Sequence, residues 1–299
     1  MININNSNKN NSEIKNLIKD VEKKIGGKLF LICQSESESI NDNLAQDIRL
    51  HLSELGQLDK ITILINSSRG DIHSAYRIVN SFYCHTSNIE MIVVNRVGSA
   101  ATFICLSSQK IYMSCEAELA PLDSRLTSVY GQIKNESALN IFKSLEYLRQ
   151  YSIEILNDFV LLFVKNFKMD IKDAVRQSGS LASEIIKPLY SKIDPKELGD
   201  LRRELAIVEE YSRRIMKRYS YNHLDIGEIN EIINNLLWNY PGSDYIINSI
   251  EATMTGLNVE MLSDGVTKKC KEIIAKSGGC IGFIDKNKLR ENKKNDKAE

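Results

Sequence analysis

ITILINSSRGDIHSAYRIV (61–79) and MIVVNRVGSAATFICL (91–106) are two copies of one plan: an apolar strand, a short polar turn and a helix. ITILIN (61–66) is β-branched and apolar on both faces, as a strand buried inside a parallel sheet must be. The next stretch, IHSAYRIVNSFY (72–83), has helical spacing. MIVVNR (91–96) is again a buried strand, and SAATFICLSSQ (99–109) reads as a helix that opens with small residues. Outward from these, LFLICQ (29–34) and KIYMS (110–114) are further short strands. DNLAQDIRLHLSELG (42–56) places Leu44, Ile48, Leu52 and Leu55 on one helical face and stops at Gly56. Strand–helix repeats of this length predict an α/β fold, with a parallel-sheet core built by right-handed β-α crossovers.

Beyond residue 136 the pattern turns helical. Long amphipathic stretches cover 136–167, 196–220 and 226–239, and a shorter one covers 249–258. The expected organisation is a polar, disordered arm over 1–13, an α/β core over 14–135 and a helical half over 136–285. That half is expected to pack on the core as one structural unit, ahead of a charged tail over 286–299.

Lys and Arg number 39, as do Asp and Glu, so the formal charge is zero. That balance argues against electrostatic capture of nucleic acid or an anionic membrane, although it leaves room for a local basic patch. The six cysteines form no CxxC pair and several sit in apolar runs, which predicts buried thiols in a reducing compartment. The four histidines show no zinc spacing, and neither a metal nor a cofactor is expected. The Asn-rich start has no apolar core, and no stretch reaches the length of a membrane span. A cytoplasmic protein without a membrane span is therefore expected.

Two turns could carry chemistry, because ligands of open α/β sheets sit beyond the carboxyl ends of the strands. Gly70, in INSSRGD, can adopt positive φ or admit a neighbouring backbone. Ser99, after Gly98, stands at a helix start, where amides lack helical acceptors and stabilise developing negative charge. Two readings of Ser99 follow from the residues: a nucleophile beside an oxyanion hole, or a helix cap.

INSSRGDIHSAYRIV resembles the strand–loop–helix of ClpP and signal-peptide peptidase A relatives, whose loop reads Asn-Ser-Pro-Gly-Gly. RVGSAATFICLSSQKIYMSCEAELAPLD (96–123) resembles their nucleophile segment. PLYSKIDPKELGDLRRELAIVEEYSRRIM (188–216), with its Pro-x-x-Leu-Gly turn, and YPGSDYIINSIEATMTGLNVEML (240–262) resemble segments of the serine dehydrogenase proteinase family, a branch of the ClpP/crotonase-like fold. The likeness spans about residues 15–262. It implies a serine peptidase, assembled as a homo-oligomer, that acts on peptide or protein substrates with Ser99 as nucleophile. The amides of Arg69, Gly70 and Ala100 would form the oxyanion hole. Ser68 and Arg69 replace the usual Pro and Gly. Asp123 stands where ClpP-like enzymes carry a histidine, and Asp194 and Ser243 stand at two further positions that are histidines in the family. An aspartate is a poor base for a serine hydroxyl unless its surroundings raise its pKa. Lys143 and Lys165 are the nearest lysines for a Ser/Lys pair. The alternative function is a catalytically impaired scaffold that binds a peptide or partner. A crotonase-type acyl-CoA enzyme is more remote, for want of an acyl-CoA signature.

Overall fold

The computed structural model describes residues 8–54, 56–123, 125–126, 136–277 and 280–282. The first half runs α1 (Asn8–Ile25), β1 (Lys28–Cys33), α2 (Asp42–Ser53), β2 (Ile61–Asn66), α3 (Ile72–Tyr83), β3 (Ile89–Val93), β4 (Arg96–Val97), α4 (Ser99–Cys105), β5 (Lys110–Met113) and β6 (Glu118–Leu119). Then come β7 (Arg125–Leu126), β8 (Glu136–Ser137), α5 (Ala138–Asn166), α6 (Ile171–Tyr190) and α7 (Pro195–Ile215), which ends in a π-helical turn at Met216–Ser220. The chain closes with α8 (Ile226–Leu237), α9 (Ser249–Met254), β9 (Val259–Met261), α10 (Asp264–Ser277) and β10 (Cys280–Gly282).

The described residues divide into two units, one formed by the residues before 125 and from 208 onward, the other by 125–207. The first holds a six-stranded sheet in the order β10-β1-β2-β3-β5-β9. All neighbours are parallel except β10, which runs antiparallel to β1. Ile61 through Ile65 of β2 are all buried, as a central parallel strand requires.

Alternate strand residues feed two apolar layers. Leu29, Leu31, Leu64 and Ile92 join Ile14, Ile18 and Val21 of α1 and Val266, Cys270 and Ile273 of α10 in one layer. Phe30, on the opposite face of β1, meets Phe82 of α3 edge to face, with ring centroids 4.9 Å apart. Helix α1 starts at Asn8, inside the stretch 1–13 expected to be a disordered arm. Its apolar residues Ile14, Ile18 and Val21 recur at helical spacing and are buried. Residues 1–7 and the expected tail 286–299 lie outside the described residues. Three strands, β8, β9 and β10, come from the stretch expected to be helical; none exceeds three residues, too few for a periodicity to show.

In the second unit β7 pairs antiparallel with β8, and α5 packs along α6. Ser137 caps α5 by accepting from the Asn140 amide, and Asp170 caps α6 by accepting from Lys172. Pro195 is the first residue of α7, so the expected Pro-x-x-Leu-Gly turn is helix. Proline suits that position because the first helical N–H has no acceptor. Asp194 precedes it and accepts from the Lys196 amide at 2.8 Å.

Phe30→Ala removes a fully buried ring from the first unit. Its unfolding free energy should fall by about 3–5 kcal/mol in urea titrations. A loss below about 1 kcal/mol would contradict the packing described.

Candidate active site

Each of the three central strands β1, β2 and β3 is followed or closed by an amide side chain: Gln34, Asn66 and Asn95. They form a polar row across the carboxyl edge of the sheet. The Gln34 amide donates to the Asn66 carbonyl at 2.8 Å, and the Asn95 side chain donates to Asn66 Oδ1 at 2.9 Å. Ser67, buried just beyond, donates from Oγ to Gln34 Oε1 at 2.6 Å. This row anchors the turn Ser67–Gly70.

Ile40 grips the other side of that turn. Its N–H donates to the Arg69 carbonyl at 3.0 Å and its carbonyl accepts from the Asp71 amide at 2.8 Å. In this parallel bridge, Gly70 points its own N–H away from Ile40. Asp71 then caps α3 by accepting from the Ser74 amide at 2.7 Å. Arg69, an exposed side chain, donates to the Glu36 carbonyl at 2.8 Å. Among the described non-glycine residues, only Lys168 has positive φ, so Arg69 is unstrained. Gly70 does not use positive φ either. A Cβ there would collide with Ile40 Cβ and stand 3.0 Å from Ala100 Cβ. The glycine is needed for close approach rather than for a left-handed turn.

The second turn docks directly on the first. The Gly98 amide donates to the Ser67 carbonyl at 2.8 Å. A Cβ at position 98 would collide with the Ser68 carbonyl oxygen and stand 2.6 Å from its carbon. Gly98 is the N-cap of α4, with φ −78° and ψ 173°. Ser99 is therefore the first helical residue and not the cap, which removes one of its two sequence readings. The Thr102 amide makes the first intrahelical bond, to the Gly98 carbonyl at 2.8 Å. The amides of Ser99, Ala100 and Ala101 thus have no acceptor within the helix. Ala100 through Cys105 are buried and Ser99 is half-buried, so the helix shows solvent its serine end. The Ser99 hydroxyl has no hydrogen-bond partner among the described residues. The Cys105 thiol, wholly buried six residues on, is pushed up to about 12 by desolvation and is no competing nucleophile.

Asp123 lies beyond a strand that runs parallel to the one before Ser99. β4 pairs with β6 through Arg96↔Glu118 and Val97↔Leu119, and the Ala120 amide donates to the Val97 carbonyl at 3.1 Å. Both chains leave this ladder in one direction, Ser99 two residues beyond Val97 and Asp123 four beyond Leu119. Asp123 is buried, and the Leu122 amide before it donates to the Leu236 carbonyl of α8 at 2.9 Å.

The other candidates have work elsewhere. His73 Nδ1 lies 3.3 Å from the Tyr211 hydroxyl. His51 Nδ1 lies 2.7 Å from the Asp47 carbonyl, one turn back in its own helix. The His223 ring stacks near Tyr221. Lys143 pairs with Glu146 at 3.0 Å, and Lys165 closes the last turn of α5. Among the described residues no cluster of metal-ligating side chains exists. The amide row of Gln34, Asn66 and Asn95, and the grip of Ile40, were not read from the sequence. The available signal was a single amide residue ending each of three apolar runs.

Residues 29–120 match the family model described as Clp protease. This stretch runs from β1 to the residue after β6. It holds both turns, with Arg69, Gly70, Ser99 and Ala100, and stops three residues short of Asp123. The parallel-dominated α/β sheet expected from the sequence is present, and the chain beyond it is mostly helical. The ClpP protease catalytic domain from Plasmodium falciparum is similar over 83% of this chain and 90% of its own, at 15% identity and a TM-score of 0.37. A likeness that loose carries no residue correspondence. No curated protein matches the chain.

Gly98→Ala forces a Cβ onto the Ser68 backbone, which cannot swing aside as a side chain could. It should cost about 1–3 kcal/mol in urea unfolding, as overpacking does. Unchanged stability would mean that the two turns do not meet as described.

Proposed function

We propose that this chain is a serine peptidase-like hydrolase of the serine dehydrogenase proteinase branch, acting on peptide or protein substrates as a homo-oligomer. The observation that carries this reading is the half-buried Ser99 hydroxyl, unpartnered among the described residues, on the first residue of α4 beside the Gly70 turn. Ser99 Oγ attacks the peptide carbonyl carbon while its proton passes to a base, for which Asp123 is the choice. The carbonyl oxygen becomes an oxyanion held by the amides of Ala100 and of the Arg69–Gly70 turn. Collapse expels the amine, which takes the proton from the base. Water then cleaves the acyl-serine by the same steps in reverse order. The family-model match over 29–120 supports the peptidase class. Leu161 and Leu162 of α5, 51% and 40% exposed, and the exposed Phe167 beyond its end support subunit contacts in the second unit.

A second reading is a catalytically impaired scaffold whose cleft binds a peptide without cutting it. The contacts made elsewhere by His51, His73 and His223 favour it. So does the Arg69 side chain, which is fixed to Glu36 beside the oxyanion turn.

Hydrolysis of an activated peptide ester separates the two. Under the hydrolase reading, Ser99→Ala lowers kcat/KM by at least about a thousandfold, and Asp123→Asn by about 10²–10⁴. Turnover that survives Ser99→Ala would overturn the assignment. Absence of turnover, with peptide binding retained, would establish the scaffold.

A further inference from the structure

The chain has no net charge, yet RRIMKR (213–218) places four cations in six residues. They lie where α7 passes into the π-helical turn, whose closing bond runs from the Tyr221 amide to the Met216 carbonyl at 2.8 Å. Such turns are rare and recur at functional sites. Here the turn borders a cleft of about 440 Å³, within the size range of small-ligand pockets. Tyr76 and Asn80 of α3 form one wall, and Arg214, Lys217, Arg218 and Tyr219 form the other.

Arg213 also lines the cleft, but its donors are engaged. Nε binds Asn230 at 2.8 Å, and the terminal nitrogens bind Glu209 and Glu210 at 2.7 and 2.6 Å. Arg214 gives Nε to Glu210 at 2.7 Å, and Tyr76 also interacts with it. Lys217 spends one of its three donors on the Leu224 carbonyl at 3.1 Å. Arg218 makes no hydrogen bond among the described residues and lies over the Tyr219 ring, 5.3 Å from its centroid. Among the described residues, no carboxylate lines the cleft. Cations four apart on a helix repel unless an anion sits between them.

The aromatic walls are fixed in advance. Tyr76 stacks on Tyr211 with centroids 4.1 Å apart and planes 10° off parallel. Tyr219 stacks on Tyr83 at 3.7 Å and 8°, and its hydroxyl donates to Asn80 Oδ1 at 3.2 Å. The Tyr76 ring, held from behind by Tyr211, costs little to order when a second flat ring arrives, whereas Tyr219 already lies between Tyr83 and Arg218.

From this juxtaposition of cations with donors left over and stacked tyrosines we infer that the cleft binds a nucleotide. Its phosphates meet Arg218, Lys217 and Arg214, and its base lies along the Tyr76 ring. The volume suits one nucleotide; a nucleic-acid strand would need a longer basic track.

Calorimetric titration of the full chain with ADP, adenosine and pyrophosphate tests this. ADP should bind saturably, more weakly as salt rises, and more tightly than either fragment. Arg214→Gln and Arg218→Gln each replace an exposed side chain, so the thermal midpoint should hold. Each should weaken ADP at least about tenfold, the loss of one charge-assisted contact. Three results would overturn the inference: no saturable ADP binding up to about millimolar concentrations, the boundary of weak affinity; undiminished affinity in the double variant; or pyrophosphate binding as tightly as ADP, which would leave the base without a role.

Discussion

The carbonyl of Ser68 lies so close over Gly98 that no side-chain carbon fits between them. This contact ties the β2–α3 turn to the β4–α4 turn, and the arrangement at the sheet edge follows from it. The Gly98 amide reaches the Ser67 carbonyl, Gly70 seats against Ala100, and α4 begins beside the turn. Glycine at 98 and at 70 serves proximity. Neither position takes the left-handed backbone for which glycine is otherwise selected.

Packing leaves Ser99 half-buried at the start of an otherwise buried helix. Ala100 to Cys105 are sealed in apolar surroundings, which also hold the Cys105 thiol protonated. Gln34, Asn66 and Asn95 use their amides on one another, so the edge beneath the turns is cross-linked without charge. A fixed, neutral floor under a set of unpaired amides is what stabilisation of a developing oxyanion requires, because donors already in place need no reorganisation during reaction. The basic cleft at the π turn draws on a different resource. Its cations are concentrated locally while the chain as a whole stays neutral.

Much of the first unit was legible in the sequence. Runs such as ITILIN and IHSAYRIVNSFY give β2 and α3 at their own bounds, since burial on both strand faces and a 3.6-residue period each leave a plain mark. The positions of Arg69, Gly70 and Ser99 at strand ends followed from the same pattern. Helix α1 was lost in an Asn-rich stretch, because five apolar residues among many polar ones do not stand out until α10 is seen to cover them. β9 and β10 were too short to register. The role of Gly70 was half legible: the residue type signals special backbone demands, but which demand depends on Ile40, thirty positions away and brought near by the fold. The same holds for the amide row, whose members are separate in sequence and meet only in register. The placement of Asp123 was least legible, because its surroundings depend on a loop path and not on a local pattern.

Reaction of the purified chain with a fluorophosphonate probe, with the adduct located by mass spectrometry, tests the central claim most directly. An activated serine at the start of α4 predicts one phosphonylated residue, Ser99, and no adduct in Ser99→Ala. A folded chain that stays unlabelled at neutral and alkaline pH, or one labelled at another serine, would contradict it.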